Sequence, residues 1–231
     1  MYSVDFYSKL VLHQTLLYGH IIVFALALAE VLREDWRMLR AARLDIRELE
    51  DVAERMKWLL ILLWATGIPL VGIILDWNFS LLVTKPKLLT KTIVVLVLTL
   101  NGAMLHAAVL PMLRNRRMNP RYTAMASCVV GAVSTVSWLY ASFVGVARLI
   151  APKLGLFQFV GLYVTLLAGG LAFAFLILRQ RVEHLIAIRN RTARIEDLSH
   201  PSNGELLVLL RQLEQKIQAR DAGGKAVVAH T

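Results

Sequence analysis

The chain has one cysteine, Cys128, in 231 residues. One thiol cannot form an intrachain disulfide, which excludes a secreted, disulfide-stapled scaffold, and its position inside an apolar run reads as an inert buried thiol. No phosphate-binding glycine loop, protease signature or metal box occurs in the sequence. Acids are also scarce: 16 Asp and Glu stand against 26 Lys and Arg, a formal net charge of +10. Such an excess can mark a nucleic-acid binder. Here the basic residues cluster beside apolar runs and are interleaved with acids, the pattern of juxtamembrane orientation and attraction to anionic lipid. No nucleic acid is expected as a partner.

Apolar length is what the chain has in abundance. Hydrophobic residues make up 57% of it and its mean hydropathy is +0.58, more than one soluble core of this size needs. Five apolar stretches run over residues 10–32, 58–77, 92–113, 124–146 and 155–178. Each is about 20 residues or longer, so at about 1.5 Å rise per residue each crosses the ~30 Å hydrocarbon core as a helix. The fold class read from this pattern is all-α: a polytopic membrane protein with a five-transmembrane-helix bundle over residues 1–178. A cytoplasmic C-terminal helical extension over 179–220 and a disordered tail over 221–231 follow.

Charge orients the bundle. Of the 26 Lys and Arg, 20 fall between the first and second spans, between the third and fourth, or after the fifth. The positive-inside rule then sets the N-terminus outside and the C-terminus in the cytoplasm, as a multi-pass protein of a bacterial inner membrane with the lipid bilayer as its main partner. The first span ends in FALALAE, a spacing that resembles a signal-peptidase site. A MYSVDFYSK start in place of a basic n-region, polar His13, Gln14 and His20 within the span, and the Arg cluster after it all point to a retained span.

Local signals place the remaining helices. Asp45 followed by Glu48 is a capping-box-like start for a helix that runs into the second span, while Trp36 and Leu39 extend the first, giving a helical hairpin. A helix after the fifth span should end at the SHPSNG breaker. It should restart at Ser202, with Leu206, Leu210, Leu213 and Ile217 on a face that packs on the chain itself or on a second copy. Gly67, Pro69 and Gly72 should loosen or kink the second span. Ser127, Gly131 and Thr135 in the fourth span, and Gly161, Thr165 and Gly169 in the fifth, repeat at four-residue spacing. They predict a tight antiparallel pair with Gly131 level with Gly169 and Thr135 level with Thr165.

Ionisable residues at depth are the candidates for function, because hydrocarbon makes them costly. His20 lies in the first span and His106 in the third, with Thr99 and Gly102 on the face of His106. Counted from Lys9 and Lys91, the two imidazoles lie about 16 and 22 Å below the outer edge, a difference that helix tilt can absorb. His13 is only about 6 Å deep by the same count. Two imidazoles from different spans at similar depth are the donor set of six-coordinate haem b, with His20 and His106 as axial iron ligands and Gly19, Gly102, Ala103, Ala107 and Ala108 leaving room for the macrocycle. The same histidines suit two other roles, an interhelical hydrogen bond to Asn101, Thr99 or a carbonyl, and a step in a proton or ion path.

The remaining polar and aromatic residues read more plainly. Glu30 is expected to snorkel beside Arg33, and Asp76 with Trp77 to anchor an interface. Trp58, Trp64 and Trp138 suit packing or aromatic belts, and His184, His200 and His230 a solvated surface.

The segment over residues 85–111, KPKLLTKTIVVLVLTLNGAMLHAAVLP, resembles a stretch of uncharacterised bacterial inner-membrane proteins. The shared pattern is a lysine (Lys91), an apolar run, Leu100-Asn101-Gly102, Leu105-His106 and then Pro111. Those proteins are distantly similar to the copper-resistance D-type membrane domain and to membrane protoporphyrinogen oxidases, in which span histidines and a lysine go with haem or metal. The seven methionines form no clustered motif of the kind a copper handler carries, and the length and five spans depart from the oxidase group. Two function classes follow. One is a haem b electron-transfer protein, with a quinone or another redox partner. The other is a non-haem membrane protein, structural or transporting, in which the histidines join helices. Either can be a homo-oligomer.

Overall fold

The computed structural model describes residues 4–147, 154–199, 208 and 210–215. It is 90% helical and, among the described residues, has no strand. The helices are α1 (Val4–Arg40), α2 (Ile46–Ile74), α3 (Pro86–Met104), α4 (Leu110–Arg114), α5 (Pro120–Val146), α6 (Leu156–Phe173) and α7 (Arg179–Ser199), with a short 3-10 helix at Phe79–Thr84. π turns at Leu105–Val109 and Ala174–Leu178 join α3 to α4 and α6 to α7 without a break. Among the described residues, five continuous helical rods are therefore long and apolar enough to cross a membrane. Val146, Phe157 and Leu176 are among the apolar side chains on the outside, 77–90% exposed, as a lipid-facing surface requires. The chain divides into two compact units, Met1–Ala187 and Ile188–Thr231. In the second, residues 208 and 210–215 are helical, with Leu210 and Leu213 exposed. The predicted restart at Ser202, the tail, His200 and His230 lie outside the described residues.

The helix starts follow their local chemistry. The Asp45 carboxylate accepts the Arg47 and Glu48 backbone N–H groups at 2.9 and 3.3 Å, the cap its sequence predicts, and α2 then runs unbroken past Pro69. Glu48 does not close the capping box; its side chain pairs with Arg37 on α1 instead. Asn119 caps α5 through the Arg121 N–H, with Pro120 at the first helical position, where a missing donor costs nothing.

Antiparallel registers can be read from side-chain pairs. On α1 and α2, His20 meets Thr66, Glu30 meets Arg55 at 2.7 Å, and Arg37 meets Glu48. On α2 and the α3–α4 rod, Trp64 meets Thr99 and Arg114 meets Glu50. The Asn101 amide donates to the Val130 carbonyl of α5 at 3.0 Å. Two apolar clusters fill the interior. One, around Leu98, Trp138, Tyr140 and Phe159, joins α1, α2, α3, α5 and α6. The other, around Ala53, Leu113, Ala124 and Ile186, lies toward the basic end of the bundle, where α1 turns into α2 and α4 into α5.

The α5–α6 pair forms in the predicted register but through a different face. Tyr140 donates its hydroxyl to the Phe159 carbonyl at 2.6 Å, and the Ser137 and Tyr163 hydroxyls lie 2.7 Å apart. The close backbone approach is at Gly170, where an added Cβ would run into Val136. Gly161, Thr165 and Gly169, predicted to form this seam, are on the exposed side of α6, and no neighbour crowds either glycine. Small residues at four-residue spacing mark a face on which backbones can approach. In this pair two tyrosines with buried hydrogen-bond partners decide the face instead.

Candidate functional site

Helices α1, α2, α3 and α5 line a half-open cavity of about 690 Å³ in the basic half of the bundle. That volume is within the ~300–1,000 Å³ range of small-molecule sites. Its wall is apolar apart from a few side chains, among them Glu34 and Asp35 of α1, Lys57 and Trp64 of α2, Thr99 and Asn101 of α3, and His106. The sequence builds this wall by helical spacing. Ala27 and Val31 are buried on α1, and Asp35 continues their four-residue stripe. Thr99, Gly102 and His106 line the cavity together, as their spacing on the third span predicts.

His106 stands in the π turn. Leu110 donates its N–H to Leu105, five residues back. The next residue, Pro111, has no N–H with which to resume the α pattern to Ala107. Such π turns recur at functional sites. The His106 imidazole is half-buried and has no hydrogen-bond partner among the described residues. Both side chains expected to hold it are committed elsewhere. Asn101 gives one of its two amide hydrogens to Val130, while the Thr99 hydroxyl donates to Val95 at 2.8 Å and accepts from Trp64 Nε1 at 3.0 Å.

The charges on the wall are unequal. Glu34 takes two bonds from Arg37, at 3.0 and 2.7 Å, and Lys57 pairs with Glu54 at 2.6 Å. Asp35 receives only the Thr135 hydroxyl, at 2.7 Å, and among the described residues no cation pairs with it.

His20 belongs to a different environment. Its Nδ1 is 2.8 Å from the Thr66 hydroxyl, which is also 2.8 Å from the Leu62 carbonyl. The hydroxyl has one hydrogen, so either it donates to Nδ1 or a protonated Nδ1 donates to it, and in both tautomers the bond ties α1 to α2. The ring lies against Gly67, whose missing side chain makes room for it: a Cβ there would be 3.3 Å from Cε1 of His20.

The structure does not bring His20 and His106 together. With α2 as the ruler, His20 is level with Thr66. The Trp64–Thr99 and Glu50–Arg114 pairs make His106 level with residues 57 and 58. At about 1.5 Å per residue the two histidines differ in depth by about 13 Å, about twice the difference counted from the lysines. The lysines misled because Lys9 and Lys91 are not at one level: by the same registers Lys91 lies about five residues deeper. His20 is also absent from the cavity wall. An iron with both imidazoles as axial ligands needs both nitrogens at one macrocycle, so this donor set does not fit bis-histidine haem. Among the described residues no group of three or more His, Cys, Asp or Glu could hold a metal ion.

The other sequence candidates are structural. Glu30 pairs with both Arg33 and Arg55, Trp58 bonds Glu54 at 3.1 Å, Cys128 is buried, and His184 is exposed. His13 is half-buried on α1 and takes no part in the cavity wall. Asp35 and Thr135 were hidden from sequence reasoning: Asp35 stands among the charges of the first basic cluster, and Thr135 was assigned to the α5–α6 seam. The usable signal was an acid continuing the buried stripe of Ala27 and Val31. Comparison of the chain with family models, with curated proteins and with solved structures gives no match.

Proposed function

We propose that this chain is a multi-pass membrane protein that takes an amphipathic small molecule from the lipid phase into the cavity between α1, α2, α3 and α5, with His106 as a polar contact. His20 serves the architecture by tying α1 to α2. One observation carries the reading: the His106 imidazole lines a cavity of about 690 Å³ with no hydrogen-bond partner among the described residues. A polar group in a low-dielectric setting costs free energy unless it is paired, and a ligand supplies the partner. In this reading the protein lies in a bacterial inner membrane with its N-terminus outside and its C-terminus in the cytoplasm. That orientation puts 20 of its 26 Lys and Arg inside and gives the cavity to the cytoplasmic half of the bilayer.

The test uses a variant that keeps Trp64 as its only tryptophan, titrated in nonionic detergent with a nitroxide-labelled amphiphile. Saturable quenching is expected. Gly102→Leu, which fills the cavity, should abolish it, while Gly161→Leu on the outward face should leave it intact. Quenching that is non-saturable or indifferent to Gly102→Leu would sink the proposal. Haem b as an electron carrier is the reading the histidine depths disfavour. A Soret band in the purified protein, lost in His106→Ala, would restore it.

A further inference from the structure

We infer that the molecule taken up by this cavity is a lipophilic cation, with its charge against Asp35 and its apolar body along Trp64 and Trp138. The inference rests on the cavity reading above and adds the ligand's charge to it. Lys57 is neutralised by Glu54, while the single Arg37 guanidinium is shared by Glu34 and Glu48, so the charge of that group stays net negative. Asp35 has no cation beside it among the described residues. Its carboxylate is held only by the Thr135 hydroxyl, at 2.7 Å, on the wall of an apolar cavity. A charge in such surroundings is poorly compensated by one neutral donor, and an organic cation completes the pair.

The rest of the wall fits the same chemistry. Trp64 is fixed in place by its bond to Thr99, and Trp138 is buried with its ring centroid 5.6 Å from that of Phe24. Ordered indole rings attract a cation by their quadrupole as well as by contact. Asn101 gives one of its two amide hydrogens to Val130 and keeps its oxygen as an acceptor for a cation. An anionic amphiphile would meet Asp35 and be repelled. A neutral one, such as a quinone, would leave that carboxylate unpaired.

The experiment measures binding of radiolabelled tetraphenylphosphonium to the purified full chain in maltoside detergent by scintillation proximity. Saturable binding is expected, displaced by rhodamine 6G but not by a neutral decyl-quinone. Asp35→Asn keeps the size of the side chain and removes the charge, and should weaken binding by at least about tenfold. Asp35→Glu, which restores the charge, should recover most of it. Equal binding by the parent and Asp35→Asn overturns the inference, as does displacement by the neutral quinone as readily as by rhodamine. Should Asp35→Asn fail to fold, the competition between charged and neutral ligands on the parent decides alone. If the cation fails while the nitroxide amphiphile still quenches Trp64, the cavity reading stands and the charge assignment falls. If neither binds, both fall.

Discussion

Nδ1 of His20 and the hydroxyl of Thr66 share a hydrogen bond of 2.8 Å that joins α1 to α2. The geometry predicts a mutual loss. His20→Ala and Thr66→Val should each lower the melting temperature in detergent, and the double variant should fall by less than the sum. The coupling expected for an interhelical bond in a membrane protein is about 0.6 kcal/mol, reaching about 1.7 in the strongest cases. Fully additive losses would mean that the two side chains do not interact.

Gly170 should be the sensitive glycine of α6. Its Cα faces Val136, while Gly161 and Gly169 have open space where a side chain would stand. Gly170→Leu is expected to destabilise the protein in a thermal melt, with partial rescue by Val136→Ala. Gly161→Leu and Gly169→Leu should melt like the parent, because their side chains would point away from α5. The reverse order would return the seam to the four-residue stripe.

Tyr140→Phe removes a hydrogen bond of 2.6 Å and leaves the Phe159 carbonyl without that donor in a buried setting. The expected cost is about 1–3 kcal/mol, read from the denaturation midpoint. Tyr163→Phe leaves the Ser137 hydroxyl its bond to the Val133 carbonyl, so its effect should be smaller. Equal effects would mean that the carbonyl finds another partner.

Orientation is checked by reporter fusions. A phosphatase active only outside the cytoplasm should be silent when fused after Ala219 and active when placed between Lys85 and Lys91. The opposite pattern would reverse the charge argument and move the cavity to the other half of the bilayer.

The sequence by itself determined the helical rods and, at Asp45, where one of them begins. Runs of about 20 apolar residues permit little except helices in lipid, because every backbone polar group must be satisfied within its own segment. Asp45 acts on N–H groups two and three residues away, so that cap was legible as well. The tertiary structure decided which faces meet. His20 and His106 looked alike as span histidines, yet one is spent on Thr66 and the other lines a cavity, separated by helix registers that no count along a single helix supplies. The π turn could have been suspected from Pro111, but not which way it would aim His106. Asp35 became a candidate only when Thr135, 100 residues away, was found against it on another helix. Helix formation is local and is written in composition and period. Pairing between helices depends on side chains distant in sequence, and in a bilayer apolar pattern cannot separate a face that meets lipid from one that meets protein.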